Sequence, residues 1–247
     1  MISKNKIKTI RSLQLKKFRD ESGLFVAEGL KLVADLATGF SCETLVVTTS
    51  FKEKLPDINA GETLIVDEDA FAKVTSLKSP QGVLAVFHKK QHTLDSSALQ
   101  SCLSIALDDI QDPGNLGTII RIADWFGITD ILCSESTADA YNPKVVQASM
   151  GALARVKVHV VDLCKTLAQV GEMPIYGTFL DGQDIYQEQL TQNGIIVMGN
   201  EGNGISAETE KLVTRKLRIP NFSDKTVESL NVSVATAIVC SEFRRRT

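Results

Sequence analysis

The feature that most constrains this chain is an alternation that begins at residue 104. Short apolar runs at 104–107, 130–133, 157–161, 175–179, 194–198 and 217–219 read as strands. Helical patterns fall between them at 116–126, 143–153, 162–170 and 206–214, and a final helix is predicted from 229 to about 244. Strands alternating with helices imply an α/β fold, with a mostly parallel sheet covered by helices on both faces. In such sheets ligands bind beyond the carboxyl ends of the strands.

A smaller α/β region precedes this one. Ile7, Ile10, Leu13 or Leu15, and Phe18 follow helical spacing over 7–20, and Gly23 breaks the pattern. Strands are predicted at 24–27, 44–48, 63–66 and 82–87. Helices are predicted at 29–36 and at 67–74, the latter led by Asp67 as N-cap. Residues 89–99 are polar and weakly patterned, which suits a linker. The expected division is therefore 1–97 and 98–247. His88 and His92 stand four apart, but nothing around them is helical or rich in carboxylates, so no metal site is expected.

With 43% hydrophobic residues the chain can bury a full core. No apolar run approaches a membrane span, and the charged N-terminus lacks the apolar segment of a signal peptide. Five scattered cysteines without a Cys-x-x-Cys read as core residues in a reducing compartment, so a cytoplasmic location is expected. The net charge of −3 argues against a generic nucleic-acid coat. Its distribution says more. Residues 1–97 carry +2 and the remainder −5, seven basic and no acidic side chains lie within 1–19, and Arg244-Arg-Arg246 stand just before the last residue, Thr247. A basic arm is either a solvated helix face or a surface for a phosphate backbone.

Three stretches carry the chemistry: Asp112-Pro-Gly-Asn-Leu-Gly-Thr-Ile-Ile-Arg121, Gly199-Asn-Glu-Gly-Asn-Gly-Ile205 and Ser229-Leu-Asn-Val-Ser-Val-Ala235. In the first, Pro113 and Gly114 force a turn and Asn115 is placed to cap the following helix. Arg121 sits amid Ile119, Ile120, Ile122 and Ala123. There it must snorkel or meet a partner, either a structural ion pair with Asp108, Asp109 or Asp124, or a phosphate or reacting hydroxyl. The glycines of the second stretch allow close backbone approach, but their order fits neither a dinucleotide fingerprint nor a Walker loop. The third spends Ser229, Asn231 and Ser233 where a helix needs only one N-cap.

Together, Asn115-x-Gly-x-x-x-Arg121, Gly199-Asn-Glu-Gly202 after a strand, and Ser229-Leu-Asn-Val-Ser-Val-Ala235 resemble the three motifs of the SpoU/TrmH family. These are S-adenosylmethionine-dependent RNA ribose 2′-O-methyltransferases of the SPOUT class. Phe25-Val-Ala-Glu-Gly29 and Ser79-Pro-Gln-Gly82 are similar to segments of the RNA-binding domain often joined to this family, so the resemblance covers nearly the whole chain. It implies a trefoil knot in the C-terminal sheet, a homodimer with the site at its interface, and no metal. It places Asn115, Arg121, Glu201, Ser229 and Asn231 around the reacting ribose, and the methyl donor against Gly199, Asn200, Gly202, Ile219 and Leu230. Structured ribosomal RNA is the implied substrate, with transfer RNA second. The alternatives are a noncatalytic RNA-binding or ribosome-assembly protein, and a nucleotide-dependent oxidoreductase that would bind NAD. Asn221-Phe-Ser-Asp-Lys-Thr226 is about two residues longer than the family's link before the third motif and lacks its glycine.

Overall fold

The computed structural model describes residues 2–223 and 229–245. Asp224, Lys225 and Thr226 of the lengthened link, and Arg246 of the terminal basic run, lie outside the described residues.

The first part of the chain forms α1 (Lys4–Ser12), α2 (Lys16–Ser22), β1 (Leu24–Glu28), α3 (Leu30–Ala37), β2 (Cys42–Thr48), β3 (Ala60–Val66), α4 (Glu68–Ala72) and β4 (Val83–His88). Its strands make a mixed sheet in the order β1-β4-β2-β3, in which only β2 and β3 run parallel. Ile10, Leu13, Val26, Val46, Phe71 and Leu84 form the core on one face of this sheet. Ser3 caps α1 and Asp67 caps α4 through side-chain oxygens.

The remainder forms α5 (Ser96–Ser101), β5 (Leu103–Asp108), α6 (Pro113–Trp125), β6 (Asp130–Cys133), α7 (Pro143–Ser149), β7 (Lys157–Val160), α8 (Leu163–Ala168), β8 (Ile175–Asp184), β9 (Gly194–Gly199), α9 (Ala207–Glu210), β10 (Arg215–Arg218) and α10 (Val232–Arg245). Six of these strands form one sheet in the order β10-β8-β9-β5-β6-β7, and every pairing in it is parallel. β5 and β9 lie in the interior of the sheet and are buried almost along their full length, as their unbroken apolar runs require. Burial pushes the thiols of Cys133 and Cys240 up to about 12, in keeping with cysteines that act as core residues.

The chain divides into two compact units, one of Met1–Gln91 with Asp139–Arg155 and the other of His92–Ala138 with Val156–Thr247. Residues 139–155, which carry α7, therefore pack within the first unit although they follow β6 in sequence. Tyr141 lies against Phe25 and Phe40 there. The helix predicted over 7–20 is two helices. The cause is Arg19, which is only 1% exposed. Its Nη1 donates to the carbonyls of Leu13 (2.7 Å) and Gln14 (2.9 Å), and its Nε and Nη2 donate to Asp139 (2.9 and 2.6 Å). Those two carbonyls face a buried cation, which fixes a bend between α1 and α2.

Candidate active site

Because the six strands are parallel, the segments that leave β5, β9 and β10 do so at one edge of the sheet. The first motif leaves β5, the second leaves β9, and Ile219 follows β10.

The second motif is a closed loop. Asn200 and Gly204 exchange backbone hydrogen bonds, each 2.9 Å. The Asn200 side chain accepts from the N–H groups of Gly202 (2.9 Å) and Asn203 (3.1 Å), while its amide donates to the Asp109 carbonyl (2.8 Å). A Cβ on Gly199 would overlap the backbone of Gly204 and Ile205, so only glycine fits there. Two aspartates at the end of β5 hold the far side. Buried Asp108 accepts from both the backbone N–H (2.8 Å) and the hydroxyl (2.7 Å) of Ser206. Asp109 adopts a left-handed conformation (φ 62°), and its N–H donates to the Ser134 hydroxyl (2.9 Å). Neither aspartate signals this role in the sequence beyond lying at a strand end.

The helix after the first motif is capped one turn earlier than predicted. Asp112 is the N-cap of α6, accepting from the Asn115 N–H at 2.8 Å, and Pro113 occupies the first helical position. The Asn115 side chain is therefore free for other work. Its amide nitrogen donates to Glu201 Oε1 (2.7 Å), and its oxygen accepts from the Asn231 amide (2.9 Å). The third motif supplies Asn231 just before α10, so this helix starts three residues later than predicted. The Asn231 oxygen caps it through the N–H groups of Ser233 (3.0 Å) and Val234 (3.3 Å) and the Ser233 hydroxyl (2.6 Å). This arrangement fixes both amide orientations. Asn231 must turn its NH₂ outward because its oxygen is occupied, and Asn115 must turn its NH₂ to a carboxylate that can only accept.

One residue from each motif thus meets in a chain, Glu201–Asn115–Asn231. Arg121 and Ser229 do not join it. Among the described residues the Arg121 side chain has no ion pair or hydrogen bond, so the structural ion pair with Asp108, Asp109 or Asp124 is not formed. Arg121 is exposed on the same face of α6 as Trp125, which is 84% exposed. Ser229 is exposed and makes no side-chain hydrogen bond among the described residues. Among the candidate donor contacts, Gly199, Asn200 and Ile219 are partly buried, and Gly202 and Leu230 are exposed. No group of histidine, cysteine, aspartate or glutamate side chains that could hold a metal occurs among the described residues, and no helix there is long and apolar enough to cross a membrane.

Residues 102–241 match the SpoU rRNA Methylase family, and residues 4–85 match the MRM3-like substrate binding domain. A 23S rRNA guanosine 2′-O-methyltransferase of Bacillus subtilis, RlmP, is 32% identical over 97% of this chain and 96% of its own length. A TrmH-family structure from Porphyromonas gingivalis is 41% identical, covers 100% of both chains and superposes with a TM-score of 0.89. An AdoMet-bound rRNA methyltransferase structure from Sinorhizobium meliloti is 30% identical over 100% of this chain and 97% of that one, with a TM-score of 0.85. The chain belongs to the SpoU rRNA methylase family.

Proposed function

We propose that this protein transfers a methyl group from S-adenosyl-L-methionine to a ribose 2′-hydroxyl of structured RNA, with ribosomal RNA the first candidate and transfer RNA the second. The observation that carries the reading is the Glu201–Asn115–Asn231 chain, which draws one polar residue from each of three segments far apart in sequence. Nothing in the packing of a core asks for such a chain on the surface of the sheet edge.

The donor supplies an activated methyl on a positively charged sulfur. The residues present suit it. The 199–204 loop shows backbone and glycine rather than bulky side chains, and Leu230 is an apolar side chain of the third motif left 49% exposed. The Asn200 side chain is spent inside the loop, so its part is to hold the shape of that loop. In this reading Glu201, Asn115 and Asn231 bind and orient the ribose, and Ser229 lies against it. Transfer is an in-line displacement, so correct placement supplies much of the acceleration. Arg121 stabilises the developing alkoxide or the adjacent phosphate, and the proton leaves through phosphate or water.

The same reading makes the protein a cytoplasmic homodimer whose catalytic part carries the family's trefoil knot, with residues 1–97 as the RNA-binding part and 98–247 as the catalytic part. Arg121 stands apart from the polar chain within one protomer, and Trp125 and Val234 leave apolar surface on α6 and α10. A second copy would cover that surface and bring a cation to a shared site.

The test is transfer from labelled S-adenosylmethionine to RNA from a strain lacking the protein, followed by nucleoside analysis. Label in a 2′-O-methylnucleoside of one RNA species is expected. Label on a base, or none on ribosomal precursors and deproteinised RNA alike, contradicts the reading.

A further inference from the structure

The bend between α1 and α2 has properties that the catalytic site does not use. Lys4, Lys8 and Arg11 follow one another at four and three residues along α1, so they form a stripe on one side of that helix. All three are exposed, as is Lys16 beyond the bend, and among the described residues none of the four has an ion pair or side-chain hydrogen bond. The stretch 1–19 contains no acid. At the bend itself Leu15, the N-cap of α2, is 59% exposed, and Phe18, three residues on, is 38% exposed. Lys6 pairs with Glu62, Lys17 with Glu21 and Arg19 with Asp139, which leaves Lys4, Lys8, Arg11 and Lys16 as the unpaired cations of this stretch among the described residues.

The bend is also rigid. Buried Arg19 ties the Leu13 and Gln14 carbonyls to Asp139, so the backbone that carries these side chains is held in one course before any partner arrives. A flexible basic arm would need no such internal clamp. Cations along one helix and an exposed aromatic side chain on the next match the chemistry of an unpaired nucleic-acid strand, whose phosphates take the charges and whose bases stack on the ring.

We propose that the α1–α2 bend is an RNA-docking surface that holds an unpaired segment, with phosphates along Lys4, Lys8 and Arg11 and a base against Phe18 and Leu15. The inference rests on the reading above only for its choice of RNA. It adds which face of the first unit takes the RNA and that the segment taken is single-stranded.

The experiment uses the full chain, with fluorescence anisotropy on two probes, a short labelled polyuridine strand and a fully paired RNA duplex of equal length. Phe18→Ala should weaken strand binding about tenfold, in line with the loss of one stacked base, and leave duplex binding within about twofold. Leu15→Ala should act in the same direction, and Phe18→Tyr should keep the wild-type affinity. A Lys4→Ala/Lys8→Ala/Arg11→Ala variant should weaken strand binding and flatten its salt dependence by about 2 in log–log slope, one increment of roughly 0.7 per lost phosphate contact. Lys52→Ala/Lys54→Ala, with basic residues elsewhere in the unit, is the control. An unchanged salt slope in the triple variant, or equal losses on strand and duplex in Phe18→Ala, overturns the proposal. So does a change in sedimentation with RNA affinity intact, which would assign the bend to a protein contact. Methyl transfer is scored separately, so label that still enters RNA while the bend variants bind normally overturns this inference alone.

Discussion

The Asn115 amide is fixed from both ends, by a carboxylate that only accepts and by an asparagine whose oxygen is spent capping α10. Such a group needs no reorganisation as charge develops near it, the condition under which a dipole contributes most to a transition state. Arg121 poses the opposite case, an exposed cation with no partner among the described residues. In the proposed reaction its part is to supply charge and hydrogen-bond donors, since a guanidinium offers no acceptor. Arg121→Lys should therefore retain measurable single-turnover methylation, while Arg121→Ala should lose nearly all of it. Equal loss in both would mean that the planar fork of donors is required.

At the scale of elements, the second motif is a loop whose shape depends on one glycine and one asparagine. Gly199→Ala forces a methyl group into the Gly204–Ile205 backbone, and crowding of this kind costs about 1–3 kcal/mol. Calorimetry should show donor affinity falling about tenfold or more, with α-helical circular dichroism retained. An unchanged affinity would remove the loop from the donor site. The α1–α2 bend depends on Arg19 in a similar way. Arg19→Leu leaves Asp139 without its cation and should lower stability by about 3 kcal/mol in chemical denaturation. A loss below about 1 kcal/mol would show that the clamp is not needed to hold the two helices. These two cases also mark what the sequence could disclose. The strand–helix alternation and the three motifs were legible because buried parallel strands must be continuously apolar and the motif residues keep fixed spacing. The helix break at Leu13–Leu15 was not, since it depends on a pairing with Asp139, 120 residues away. Nor was the cap. Asp112 and Asn115 are both good N-cap residues, and only the structure shows that Asp112 takes the position and releases Asn115 to meet Glu201. The placement of 139–155 in the first unit was hidden for the same reason, because Asp139 and Tyr141 find their partners across long stretches of chain.

At the scale of the whole molecule, a second copy is proposed to complete the site. If a second copy does, the protein should sediment as a dimer at micromolar concentration, and Trp125→Glu should yield a monomer that binds donor weakly and transfers no methyl group. A monomeric but active wild type would contradict that part of the account. In the proposed reaction the ribose reacts at the chain of polar groups drawn from the three motifs. Asn115→Ala tests it most directly, measured as the single-turnover rate of methyl transfer on the RNA that the wild-type protein modifies, alongside the donor dissociation constant. The account predicts a rate reduced about a hundredfold or more, the usual cost of losing one fixed dipole at a reacting oxygen, with donor affinity within about threefold of wild type. A rate within about threefold of wild type would place the chemistry elsewhere.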